Sequence, residues 1–104
     1  SIYVKHYTDK LIDSSTAQRL KEMMRTDVLN NYGQSNFPDL EICAKSGTAQ
    51  VDGSNADNAW FRGFLDDNDH PLAFIVNVDG DGSGAKTAGR LANTVLQKAI
   101  EKGY

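Results

Sequence analysis

Long apolar runs, blocks of basic charge and paired cysteines are all missing from this sequence, and each absence removes a class of function. The longest apolar run, Leu72 to Val76 with Val78 just beyond, falls far short of the roughly 20 residues that a membrane-spanning helix requires. The sequence therefore holds no membrane segment, and no stretch of it reads as a signal peptide. Lys and Arg number 11 against 14 Asp and Glu, a formal charge of -3. They form no cluster, so the electrostatic footprint of a nucleic-acid partner is absent. The one cysteine, Cys43, excludes a disulfide within the chain; set among apolar residues of a predicted strand, it reads as a buried, inert thiol. His6 and His70 lie at no spacing that makes a metal site and read as surface residues, so no metal is expected. Proline occurs only as Pro38 and Pro71, both in predicted breaks between elements.

What is present is the composition of an ordinary folded chain, 39% hydrophobic and 24% charged. A length of 104 residues makes one small domain or part of a larger one, burying roughly two-thirds of its unfolded surface. The chain opens with Ser1 on strand-like Ile2-Tyr3-Val4, and residues 1–7 read as a strand or an extended lead-in to an excised piece or a processed product. Between Ser14 and Tyr32, Ala17, Leu20, Met24 and Val28 recur at helical spacing, predicting an amphipathic helix capped by Ser14 or Ser15 and ended by Gly33. A loop through Pro38 leads into a strand from Leu40 to Gln50, and Asp52-Gly53-Ser54-Asn55 makes a turn. Ala59 to Leu65 is a second strand, residues 66–71 a polar turn, and Leu72 to Asp79 a third strand with apolar residues on both faces. Trp60, Phe61 and Phe64 read as sheet core. A last helix from Ala85 to Lys102 carries one broad stripe of Ala88, Leu91, Ala92, Val95, Leu96, Ala99 and Ile100. The expected fold is α+β: a three-stranded antiparallel sheet flanked by N- and C-terminal helices. The last helix covers one face of the sheet, and the first helix shares the other with further chain.

Chemistry concentrates in Lys45-Ser46-Gly47-Thr48. A lysine supplies positive field beside a nucleophile or carboxylate, two hydroxyls donate hydrogen bonds, and a glycine lets a substrate backbone approach the strand. Four residues alone recur by chance, but their neighbours are ordered. Ala44 to Gln50 is followed by Ala59-Trp60-Phe61-Arg62-Gly63-Phe64, then Pro71 with an apolar strand, then a glycine-rich turn into a final helix. Over most of its length the chain thus resembles the carboxy-terminal part of a penicillin-binding transpeptidase domain, nearest the monofunctional class B enzymes, a fragment of the larger fold shared with serine beta-lactamases.

The resemblance implies acyl transfer through an active-site serine acting on a D-alanyl-D-alanine stem peptide of peptidoglycan, with beta-lactams as mimics and no cofactor. It implies that Lys45 tunes the proton-transfer network, that Ser46, Gly47 and Thr48 bind substrate, and that the backbone N–H of Thr48 is half of an oxyanion hole. It also implies a place at the outer face of the bacterial cytoplasmic membrane, with the remainder of the transpeptidase domain as partner. The family's Ser-x-Asn element is absent, and the one literal Ser-x-x-Lys, Ser83-Gly84-Ala85-Lys86, follows the Lys-Ser-Gly motif where the family's nucleophile precedes it. Residues 1–104 are therefore expected to lack the nucleophile and to be inactive alone.

Rival readings remain open at this level. A beta-lactamase, a D,D-carboxypeptidase or a beta-lactam sensor shares the Lys-hydroxyl-Gly strand, although Trp60 to Phe64 and the Ala49-Gln50 ending favour the transpeptidase. Gly80 to Thr87 lies between strand and helix like a phosphate loop, which keeps a nucleotide-binding module as an alternative; Ala85 stands where that motif needs glycine, and Asp79 and Asp81 repel phosphate. A calcium loop from Asp79 fails at its twelfth place, Arg90. A scaffold domain that inherited the fold is the third alternative.

Overall fold

Helical periodicity at the start of the chain produces α1, Ser14–Asp27, in the computed structural model, which describes residues 7–50, 57–79 and 84–104. Its N-cap is Asp13, whose backbone carbonyl accepts the Ala17 N–H at 3.0 Å while its side chain makes no cap bond. Ser14 and Ser15, the two expected caps, both lie inside the helix. The predicted helix to Tyr32 changes character at Val28, where one π-helical turn, Val28–Tyr32, closes with the Gly33 N–H on the Val28 carbonyl at 2.7 Å. Gly33 takes a φ of 83° and ends it, as the sequence predicts.

The three strands are β1 (Ile42–Gln50), β2 (Asp57–Leu65) and β3 (Ala73–Val78), antiparallel and in chain order. Helix α2, Gly84–Glu101, follows. Residues 1–6, the turn 52–55 and the segment 80–83, with Ser83, lie outside the described residues.

Register divides the sheet into two faces, because Ser46 opposes Phe61 and Phe61 opposes Val76. One face presents Ile42, Ala44, Phe61 and Leu65, all buried, with Phe74, Val76 and Val78 half-buried. Ala88, Ala92 and Leu96 of α2 close over it, joined by Val28, Phe37 and Leu40. The α2 stripe is narrower than the sequence suggests. Leu91 and Val95 are 46% and 61% exposed, since small alanines one turn apart bring the helix down on a single line of contacts.

The other face carries Cys43, Lys45, Trp60, Arg62, Phe64 and Ile75. Here α1 packs chiefly against β1 and buries none of its own side chains fully. Polar contacts hold it instead: the Arg25 guanidinium donates to the Ile42 carbonyl at 2.8 Å, and Lys21 reaches Asp66 at 3.4 Å. Trp60 and Phe64 are only half-buried on this side, so of the three aromatic residues assigned to the core only Phe61 is fully in it. Ile75 is 62% exposed. Among the described residues no helix is long and apolar enough to cross a membrane.

Candidate functional site

Among the described residues β1 is an edge strand, so half of its backbone groups point away from the sheet, and the hydrogen bonds show which half. The Ile42 carbonyl meets Arg25, and the Ser46 N–H meets the Tyr32 hydroxyl at 2.9 Å. The Glu41 carbonyl, one residue out of step, instead accepts the Asp66 N–H at 2.8 Å on the β2 side. With a two-residue period, Thr48 belongs to the outward set. Its N–H stands on the free edge, where an oxyanion or a strand-like peptide could be received.

Side chains of the motif alternate across the sheet. Lys45 projects on the α1 side, half exposed, with its ammonium 3.5 Å from the Asp27 carboxylate. Asn31 donates to that same carboxylate at 2.8 Å, which fixes it. Ser46 points to the α2 side and meets Tyr32, the two hydroxyl oxygens 2.5 Å apart. Tyr32 comes from the π turn and stands edge-on to Phe61, ring centroids 5.3 Å apart at 89°. Phe61 is stacked in turn on Phe37 and Phe74, each at 5.7 Å.

Two glycines of the motifs differ in kind. A Cβ at Gly63 would stand 2.0 Å from the Cys43 carbonyl oxygen, so glycine is required for β1 to lie against β2. A Cβ at Gly47 would meet nothing within 4 Å, and its φ is not positive. The fold does not need glycine there. What its absence of side chain preserves is open space over the strand beside Lys45 and Thr48, both exposed.

Other nucleophilic candidates are closed off. Cys43 is fully buried, and its thiol is pushed above the ordinary range, first by burial and then by the Asp66 carboxylate. It is the inert thiol that its sequence context suggests. Half-buried His70 directs Nδ1 at the Tyr104 carbonyl at 2.5 Å. Among the described residues no group of His, Cys, Asp or Glu is placed to hold a metal ion.

Sequence reading missed two features. One is Tyr32, which simply continues the stripe of Ala17, Leu20, Met24 and Val28. The other is a cleft of about 450 Å³ between the π turn and α2, walled by Tyr32, Phe37 and Phe61 with Lys86 and Arg90 at its rim. Only the approach of distant elements creates it; the nearest signal was the pair of basic residues four apart on α2.

No curated protein matches the chain. The family model described as the penicillin binding protein transpeptidase domain matches residues 2–101, nearly the whole length. The chain belongs to the penicillin-binding protein transpeptidase domain family.

Proposed function

We propose that this chain is the carboxy-terminal part of a serine D,D-transpeptidase that cross-links peptidoglycan stem peptides and is acylated by beta-lactams, and that β1 is its substrate-binding strand. A serine outside residues 1–104 attacks the penultimate D-alanine carbonyl, losing its proton to a neighbouring base. The oxyanion forms against the outward N–H of Thr48, while the hydroxyls of Ser46 and Thr48 hold the peptide carboxylate. Lys45 lowers the cost of moving the serine proton. The C–N bond breaks, the terminal D-alanine leaves with that proton, and an acceptor amine then displaces the serine from the ester. Without the serine, residues 1–104 have one binding wall and half an oxyanion hole, and turn nothing over.

The observation that carries this reading is Gly47, a glycine that neither backbone conformation nor packing requires, beside an outward Thr48 N–H. Ile75, largely exposed on β3 among the described residues, supports the remainder of the transpeptidase domain as a packing partner. That partner, and a place at the outer face of the bacterial cytoplasmic membrane, belong to the same proposal.

The test is acylation by a fluorescent penicillin in the serine-bearing polypeptide. Lys45→Ala lowers the acylation rate by about a hundredfold or more. Gly47→Val, with a β-branched residue that strands accept, leaves thermal stability unchanged and lowers acylation at least about tenfold. Normal acylation by Gly47→Val would sink the site assignment. A covalent beta-lactam adduct on the isolated 104-residue chain would sink the claim that its nucleophile lies elsewhere.

A further inference from the structure

The Tyr32 hydroxyl meets Ser46 twice, at the backbone N–H and at the side-chain oxygen. Neither contact serves the pairing of β1 with β2, because the Ser46 N–H lies on the outer edge. The Tyr32 ring is already held by Phe61, so the hydroxyl group adds something separate from packing. It is delivered by a π-helical turn, a feature that costs regular helix hydrogen bonding and recurs at functional positions.

Either hydroxyl could donate across their contact, and relative acidity selects one direction. The phenol oxygen accepts the Ser46 N–H and has one proton to give. A phenol is more acidic than an aliphatic alcohol, so that proton goes to Ser46 Oγ. The Ser46 hydroxyl, its oxygen engaged from behind, then has its own proton left to donate forward. Hydrogen bonds in such a chain polarise one another, strengthening the last donor.

We infer that Tyr32 is a positioning residue: through its hydroxyl it orients Ser46 and commits the Ser46 proton to the carboxylate of the bound peptide or beta-lactam. By capping the Ser46 N–H it also removes that donor from the outer edge of β1. This role rests on the proposed transpeptidase function.

The experiment is acylation of the serine-bearing polypeptide by a penicillin and by the same penicillin with its carboxylate esterified. Tyr32→Phe, which keeps the ring against Phe61, lowers acylation by the free acid roughly 5- to 30-fold. The loss falls in the concentration dependence rather than the limiting rate, and less than about twofold is lost with the ester. In a Ser46→Ala background Tyr32→Phe has no further effect. Equal losses with acid and ester, or additive losses with Ser46→Ala, overturn the role by making Tyr32 a packing residue only. Wild-type acylation by Tyr32→Phe overturns it while leaving the proposed function standing. Absence of acylation in the unmutated protein overturns both.

Discussion

The two faces of the sheet are built on different terms. Beneath α2, Phe61 is fully buried among Phe37, Phe74, Ala88, Ala92 and Leu96, and apolar burial holds the elements together. On the other face, α1 buries no side chain fully and is tied down by Arg25, Lys21 and the Lys45–Asp27 pair, contacts of the partly exposed kind that contribute little each. Stability therefore resides on one side of the sheet. The charged residue of the motif stands on the other, where a side chain can change partners without disturbing the core.

That asymmetry is open to direct attack. Phe61→Ala removes the ring on which three aromatic contacts converge and destabilises the chain by about 3–5 kcal/mol, read by denaturant unfolding. A loss below about 1 kcal/mol would mean that the core lies elsewhere. Cys43 gives a smaller and pH-dependent effect. Because its folded thiol ionises above the ordinary value of 9.0, its contribution is fully present below that pH. Above it, the unfolded state sheds its proton first, so stability falls as the pH rises towards the folded value. Cys43→Ala flattens this alkaline decline in unfolding measured from neutral to strongly alkaline pH; an unchanged slope would contradict the burial. The smallest effect belongs to Ile75→Ser, at a position 62% exposed among the described residues, within about 0.5 kcal/mol of wild type. A large loss there would show that this face is already occupied in the chain as it stands.

The elements themselves were legible because period alone separates helix from strand: Ala88, Ala92 and Leu96 lie one turn apart, whereas Trp60, Arg62 and Phe64 alternate with Phe61 and Leu65. The strand-bearing motif was legible too, through its order relative to Trp60-Phe61-x-Gly63-Phe64. What the sequence hid were relations between distant residues. Gly63 needs glycine because of the Cys43 carbonyl on the neighbouring strand, and no local pattern announces that. Tyr32 sits four residues beyond Val28, where a plain helix also places an apolar residue. The π turn that swings it towards Ser46 leaves no mark in the spacing. Leu91 and Val95 misled for the opposite reason, since apolar character predicts burial only where a neighbour exists to bury against.

An open strand edge invites more than a ligand. A second copy of the chain could lay its own edge alongside and begin a shared sheet, the first step of aggregation. Here Arg25 occupies the Ile42 carbonyl and Tyr32 the Ser46 N–H, so an incoming strand finds alternate rungs of the ladder taken. Two side chains thereby take two groups of that edge out of reach of a second strand.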